Sequence, residues 1–204
     1  MTGEFAAAWE GCLAVDAEVL QLRRGDLDAL TALIARYQNR LYRYLLRIVR
    51  ERAEAEDLFQ QTWLRVAQKI QSFDPRRNFD AWLFTLARNL ALDHLRRVRP
   101  ESLDEPLSEN FPVDTRGNQL PSKERTPLDR AIEEQRASRL IAAMDEIPVA
   151  FREVLTLRFE EEMKLEEIAE IQGVPLSTVK SRLHRSMDRI RLLLETRFPG
   201  EKWL

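Results

Sequence analysis

Cysteine and histidine are scarce in this chain of 204 residues, and their scarcity excludes several kinds of site. The single cysteine, Cys12, has no partner for an internal disulfide, and we interpret it as incidental. With one thiol and two imidazoles, the chain lacks the side chains from which structural zinc sites are usually built. The sequence therefore predicts no metal site and no cofactor.

Long apolar runs are missing as well. No stretch of about 18 apolar residues without charges occurs, so the sequence predicts no membrane-spanning helix. The N-terminal segment carries Glu4, Glu10 and Asp16 where a signal peptide would have basic and then apolar residues. We therefore expect a cytoplasmic protein. The sequence also shows neither a nucleophile paired with a base nor a glycine-rich phosphate loop. We therefore expect no enzymatic activity.

A strong net charge is absent, because 34 acidic residues balance 32 basic ones. The charge is nevertheless unevenly distributed along the chain. Residues 17–99 contain 16 Lys or Arg against 10 Asp or Glu, a net of +6, whereas residues 100–128 contain three against six, a net of −3. The basic first part is compatible with nucleic-acid binding.

The stretch from Leu165 to Leu194 has the pattern of two helices joined by a tight turn. Gly173 occupies the turn, Pro175 stops the first helix, and Ser177 is a suitable N-cap for the second. One face of the second helix is apolar: Val179, Leu183, Met187, Ile190 and Leu194. The other is polar and basic: Thr178, Lys180, Ser181, Arg182, Arg185 and Arg189. The pattern favours a DNA-binding helix-turn-helix over a helical hairpin with a solvated charged face.

Five further segments predict helices, and the whole chain therefore predicts an all-α fold of two small helical domains. The segments are 22–49 with a break at Gly25, 53–70, 79–97, 127–144 after an N-cap at Thr126, and one that begins at Pro148. Residues 100–126 hold four prolines and no periodicity, which is typical of a flexible linker. We expect an N-terminal extension at 1–16, a first domain at 17–99, a linker at 100–128, a second domain at 129–198 and a tail at 199–204.

Two surfaces of the first domain are candidates for binding. The helix over 53–70 has a polar face with Asp57, Gln60 and Gln61 beside Trp63, which this segment alone explains as solvent coating. In the loop and helix that follow, aromatic and polar residues are interleaved: Phe73, Arg76, Arg77, Asn78, Phe79 and Trp82. Such a mixture suits a single strand of nucleic acid, whose bases stack on aromatic rings, although core packing explains Phe79 and Trp82 equally well.

Four motifs in order carry a family resemblance. They are AEAEDLFQQTWLRV, FDAWLFTLARNLALDHLRR, IPVAFREVLTLRF and LEEIAEIQGVPLSTVKSRLHRS. With them the chain resembles the extracytoplasmic-function (ECF) group of bacterial RNA polymerase sigma factors, over about residues 19–97 and 129–197. The resemblance implies a subunit that binds core RNA polymerase, directs it to promoters and promotes strand opening. The alternative is a stand-alone helix-turn-helix regulator that does not act through core polymerase.

The resemblance also implies roles for individual residues. The first domain, as sigma region 2, would bind the β′ coiled coil of core polymerase through Asp57, Leu58, Gln60, Gln61, Trp63 and Leu64. It would bind the melted minus 10 element through Phe73, Arg76, Arg77, Asn78, Phe79, Trp82, Arg88, Asn89, Asp93, Arg96 and Arg97. The second domain, as sigma region 4, would meet the β-flap and read the minus 35 element through Ser177, Thr178, Lys180, Ser181, Arg182 and Arg185. An anti-sigma factor is a further implied partner.

Overall fold

Every regular element is a helix in the computed structural model, which describes residues 17–98 and 127–199. This confirms the all-α prediction. The helices are α1 (residues 17–23), α2 (Leu27–Val49), α3 (Arg52–Lys69), α4 (Phe79–Val98), α5 (Pro127–Met144), α6 (Val149–Leu155), α7 (Leu165–Gln172) and α8 (Leu176–Arg197). The predictions for the N-terminal extension with Cys12, for linker residues 100–126 with the Thr126 cap, and for tail residues 200–204 lie outside the described residues.

The first domain is built around α2, whose apolar stripe faces α3 and α4. The side chain of Asp26 caps its start by accepting a hydrogen bond from the Asp28 amide at 2.9 Å. Its end is marked by Arg50 in the left-handed conformation, with φ of 68°. The stripe is almost fully buried: Leu33, Tyr37, Leu41, Tyr44 and Leu45. Leu27 does not belong to this stripe, because it stands in the first turn and is 71% exposed.

The second domain contains the predicted helix-turn-helix as α7 and α8. Gly173 ends α7 with φ of 64°, a left-handed conformation that glycine adopts without the strain of a Cβ. Ile168 and Ile171 on α7, and Val179, Ile190 and Leu194 on α8, are buried. The turn at Gly173 and the buried residues of α8 are those that the sequence predicted.

The predicted N-cap of the recognition helix is wrong. Helix α8 already begins at Leu176, with Pro175 in the cap position, so Ser177 lies inside the first turn. The reason is that the proline ring fixes an extended backbone that leads directly into the helix, which leaves no cap position for Ser177. The Ser177 side chain is exposed.

The two domains pack against each other and share a hydrophobic core. The cluster around α2, α3 and α4 continues into the second domain, where it includes Val149, Val154, Leu157, Ile168 and Val179. A smaller cluster between α5, α6 and α8 belongs to the second domain alone. We refer to the surface between α2 and α4 on one side and residues 145–172 on the other as the interdomain interface. Sequence patterns distinguished the two halves but did not predict this interface.

Candidate polymerase and nucleic-acid interfaces

The outer face of α3 combines polar side chains with an exposed leucine. Asp57, Gln60 and Gln61 are exposed, and Leu64 is 64% exposed. At 100° per residue these four positions fall on one face of the helix. A shallow depression between this face and α4 is lined by Gln61, Leu64, Arg65, Gln68 and Leu90. An apolar side chain among polar and charged ones is suited to contact with another protein.

Two residues predicted for the same surface lie elsewhere. Leu58 is 2% exposed and Trp63 is 5% exposed, because both side chains point from α3 into the core of the first domain. The Trp63 ring packs edge to face with Phe59, with 6.3 Å between ring centroids. Leu58 and Trp63 therefore support the surface from beneath, and the prediction of direct contact with a partner is corrected for them.

The aromatic residues around the loop after α3 form a packed cluster. Phe73 and Phe79 are 3% and 4% exposed, and their ring centroids lie 5.7 Å apart. Trp82 is half-buried, and its ring lies 4.9 Å from that of Phe73. Core packing therefore accounts for Phe73 and Phe79, and the prediction that their rings stack on a base is corrected. The accessible edge of Trp82 remains available at the surface.

The polar residues of this loop point outward. Arg76 is bound to Asp74 through Nε at 3.0 Å and Nη2 at 2.8 Å, and these hydrogen bonds lower the pKa of Asp74 to about 2. Arg77 forms an ion pair with Glu170 on α7, and the Asn78 amide donates to Glu167 on the same helix at 2.7 Å. The loop thus presents Arg76 to solvent, whereas its next two residues contact the second domain.

Helix α4 divides its predicted binding residues between solvent and the interdomain interface. Asn89, Asp93, Arg96 and Arg97 are exposed, and Arg96 pairs with Asp93 at 3.1 Å. Arg88 differs from them, because it is 17% exposed and its Nε donates to Glu153 on α6 at 2.8 Å. Of the five polar or charged side chains predicted for binding on α4, Arg88 alone is therefore held inside the interface.

The recognition helix α8 shows the same division. Ser177, Lys180 and Ser181 are exposed, whereas Thr178 and Arg185 are half-buried. Arg182 is also half-buried, and its Nη1 donates to the Gln172 side chain at 2.9 Å. This partial burial lowers the pKa of the Arg182 guanidinium below its ordinary value. The N-terminal turns of α8 thus retain a polar, basic outer surface beside the interface.

A buried carboxylate at the centre of the interface was missed from the sequence. Glu153 is 1% exposed and accepts hydrogen bonds from Tyr44 at 2.8 Å, from Arg88 at 2.8 Å and from Gln172 at 3.0 Å. Burial raises the pKa of Glu153 above its ordinary value, although the three donors act in the opposite direction. A signal did exist in the sequence, because this glutamate stands within the apolar run of VAFREVLTL.

Further ion pairs surround this centre. Arg40 on α2 binds Glu161 through Nε at 2.7 Å and Asp80 through Nη1 at 3.0 Å. Arg47, about two helical turns further along α2, binds Glu160 at 3.0 Å. Both arginines therefore connect the first domain to the end of the π-helical segment Thr156–Glu160, which follows α6.

Two family models match the chain in order. Residues 33–101 match the model described as Sigma-70 region 2, and residues 143–192 match the model described as Sigma-70, region 4. The first range covers most of α2 together with α3, the aromatic loop and α4. The second begins near the end of α5 and covers the helix-turn-helix almost to the end of α8.

Curated relatives match over most of their lengths. The chain is 32% identical to the RNA polymerase sigma factor CarQ of Myxococcus xanthus, a match that covers 85% of this chain and 94% of CarQ. It is 30% identical to the ECF RNA polymerase sigma-E factor of Haemophilus influenzae, over 87% and 94%. It is 29% identical to the ECF RNA polymerase sigma factor SigW of Bacillus subtilis, over 88% and 96%.

Solved structures show a similar arrangement of helices. CnrH, in complex with the cytosolic domain of CnrY, has a TM-score of 0.65 at 22% identity and covers 90% of this chain and 98% of its own, a likeness of fold. The sigma factor RpoE of Bartonella quintana, in complex with the anti-sigma factor NepR, has a TM-score of 0.59 at 25% identity, over 81% and 96%.

Proposed function

Because the chain belongs to the ECF group of RNA polymerase sigma factors, we propose specific roles for its surfaces in transcription initiation. As an alternative sigma factor, it directs RNA polymerase to promoters. The observation that carries the residue roles is the presence of two helical domains in the order of regions 2 and 4, each with an exposed face of the expected chemistry. The stand-alone regulator is not favoured, since the first domain matches region 2 of the same family.

The exposed face of α3 is the surface that binds the β′ coiled coil of core polymerase. Leu64 provides the apolar centre, and Asp57, Gln60 and Gln61 provide polar groups around it. This composition resembles the apolar core and polar rim of protein interfaces. Leu58 and Trp63 hold the helix in position from within the domain core.

The minus 10 element binds along the loop and the outer face of α4. Arg76, Arg96 and Arg97 are exposed cations that can contact phosphates, and Asn89 can donate to a base edge. Part of the Trp82 ring is exposed, and a base can stack on it. Such stacking contributes about 1 to 3 kcal/mol per base. Arg77, Asn78 and Arg88 complete the surface once they leave their contacts with the second domain.

The minus 35 element binds the N-terminal half of α8 in its major groove. Lys180 and Ser181 are exposed near the start of the helix, where recognition helices reach base edges. Ser177, Thr178 and Arg185 lie beside them, and Arg182 joins them after leaving Gln172. The remaining surface of this domain faces the β-flap.

The partners follow from the family. The protein acts without catalytic activity of its own, in the cytoplasm where core polymerase is found. An anti-sigma factor holds it inactive, a role supported by the similar RpoE structure, in which an anti-sigma factor is bound. Within the described residues, no helix combines the length and apolar character required to cross a bilayer.

Transcription with purified components tests the proposed function. Core polymerase and this protein are incubated with fragmented genomic DNA of the source bacterium, and the 5′ ends of the transcripts are sequenced. We expect starts that depend on the protein and share two upstream elements. Absence of core binding and of new starts, together with intact binding to duplex DNA, would establish the stand-alone regulator instead.

A further inference from the structure

The outer face of α8 carries a histidine and an aspartate to which the proposed DNA contacts give no role. At 100° per residue, positions 177, 181, 184 and 188 fall along one line of the helix, which we call the outer line. The buried side chains of α8 lie on the opposite side. His184 and Asp188 therefore continue the line that begins with the exposed Ser177 and Ser181.

These two side chains contact each other. Nδ1 of His184 lies 2.8 Å from Oδ2 of Asp188, one turn further along the helix, and the side chains are 24% and 43% exposed. A partly exposed pair at this spacing contributes little to stability. Its effect is on orientation, because a carboxylate that holds one nitrogen of an imidazole ring fixes the direction of the other.

The second ring nitrogen of His184 is available for a ligand. Within the residues that the structure describes, no group forms a hydrogen bond with Nε2. When Nδ1 carries its proton toward the carboxylate, Nε2 of the neutral ring is a hydrogen-bond acceptor. The pair thus presents an oriented acceptor on the outer line of the recognition helix.

The charged residues beside His184 indicate how it would meet DNA. Lys180 lies one turn before it and Arg185 is the next residue, and the two cations lie on opposite sides of the outer line. A helix that brings both cations to the walls of the major groove directs the line between them toward the base edges. His184 lies about 4.5 Å along the helix from Ser181, close to one base-pair step of about 3.4 Å. It therefore reaches the base pair next to the one that Ser181 faces.

A hydrogen-bond acceptor discriminates between bases in the major groove. Adenine and cytosine present an amino group there, whereas guanine and thymine present carbonyl oxygens. The amino groups can donate to Nε2, but a carbonyl oxygen placed opposite this nitrogen leaves both acceptors without a donor. An oriented Nε2 therefore distinguishes adenine and cytosine from guanine and thymine on the strand that it faces.

We propose that His184, oriented by Asp188, is a specificity-determining residue whose Nε2 selects adenine or cytosine at one position of the minus 35 element. This inference rests on the proposed function, which places α8 in the major groove of that element. Asp188 is a positioning residue, because it acts through the imidazole ring and need not touch the DNA. His184 thereby adds an oriented acceptor to a surface whose other members are hydroxyl groups and cations.

The base preferences of full-length variants test the proposal. The parent protein, His184→Ala, Asp188→Ala and the control Glu195→Ala are each incubated with duplex DNA that has a randomised central segment. Each incubation is carried out with and without core polymerase, and the bound DNA is sequenced. Glu195 is an exposed acid on the outer line, about two turns beyond Asp188, so its removal matches the charge change of Asp188→Ala. Circular dichroism confirms that each variant is folded.

We expect the parent to prefer adenine or cytosine over guanine and thymine by about tenfold at one position. His184→Ala reduces this preference to less than about twofold and leaves the other positions unchanged. Asp188→Ala reduces it to about threefold, because the ring is no longer held in one orientation. Overall binding is not weakened in Asp188→Ala, since a carboxylate is removed from the path of the phosphates. The control keeps the preference of the parent.

A change of specificity tests the chemistry of the contact more directly. His184→Gln replaces the ring acceptor with an amide that both donates and accepts, and such an amide matches N7 and N6 of adenine. We expect this variant to select adenine over cytosine by about fivefold at the position where the parent accepts both. If His184→Gln keeps the choice of the parent, Nε2 does not read the base.

The inference is wrong if the parent enriches no sequence, or if His184→Ala retains every base preference of the parent. It is also wrong if Asp188→Ala abolishes the preference and His184→Ala does not, because the carboxylate is then the group that contacts the base. The arms with and without core polymerase separate this failure from that of the proposed function. A stand-alone regulator selects the same sequences in both arms, whereas a sigma factor in which His184 has no role shows polymerase-dependent selection that His184→Ala leaves unchanged.

Discussion

At the scale of single residues, Glu153 places a carboxylate within the buried core that the two domains share. Its neighbours in sequence, Val154 and Leu155, are buried in the core, and its own oxygens are reached by donors from α2, α4 and α7. A buried ion pair contributes little net stability compared with an apolar pair, but removing one partner leaves the other charge uncompensated. The residue therefore determines how the interface is assembled.

We predict that Glu153→Ala lowers the free energy of unfolding by about 3 kcal/mol, because Arg88 loses its buried partner. Tyr44→Phe removes one of the three hydrogen bonds and lowers it by about 1 kcal/mol. Urea denaturation followed by circular dichroism measures both. The exposed Glu195→Ala serves as control and changes stability by less than about 0.5 kcal/mol. Equal stability of Glu153→Ala and the control would contradict this account of the interface.

At the scale of elements, helices followed the sequence closely, because each one buries a stripe that repeats at helical spacing. The helix predicted over 79–97 begins where α4 begins and ends one residue before its observed end at Val98. The same periodicity could not predict whether the aromatic residues in and beside the loop before α4 are exposed or buried. Phe73 and Phe79 are buried because Tyr37 and Trp82 pack around them, and these contacts join different elements.

Helix α3 leads to a prediction about core polymerase. We expect Gln61→Ala with Leu64→Ala to weaken binding to core polymerase by about tenfold or more, since truncation of an apolar centre at an interface costs more than about 1 kcal/mol. Lys69→Ala is the matched control, because Lys69 is exposed on the same helix but lies away from this face. Competition against a labelled sigma factor for core polymerase measures the affinities. If the two variants bind core polymerase equally well, core polymerase binds a different surface of the protein.

Helix α8 leads to a prediction about promoter selection. We expect Lys180→Ala and Arg185→Ala each to reduce transcription from a cognate promoter by about tenfold, given that a good base contact contributes about 1 to 3 kcal/mol. Arg191→Ala removes the same charge from an exposed position further along the helix and is the control. Transcription on templates with an intact or scrambled minus 35 element measures the effect. If both variants discriminate these templates as the parent does, the two side chains do not read the element.

At the scale of the whole molecule, the sequence pattern indicates two domains, whereas buried residues of both halves form one continuous hydrophobic core. Local patterns indicate where each helix lies and which side it buries, and they also divide the chain at residues rich in proline. They do not indicate which apolar face of one helix packs against which other helix. That choice depends on contacts between residues more than a hundred positions apart in the sequence, such as Tyr44 and Glu153. The helices that carry the two proposed DNA-binding faces were therefore predictable, and the contact between the two domains was not.

The shared core predicts how the molecule unfolds. We expect the parent protein to unfold in a single calorimetric transition, because α2 and α4 pack against α6 and α7 in one cluster. A variant that combines Glu153→Gln, Glu167→Gln and Glu170→Gln loses interfacial contacts and should unfold in two transitions. Scanning calorimetry compares the calorimetric and van't Hoff enthalpies. A single transition in this variant would mean that apolar contacts alone couple the domains.

The contact of Arg88 with Glu153 has a consequence for the cell as a whole. A chromosome offers about a million or more non-specific sites that compete for any protein with accessible cations. A factor that neutralises part of its positive charge internally offers fewer cations to these competing sites. While Arg88 stays paired with Glu153, its guanidinium adds nothing to the attraction of the chain for non-specific DNA.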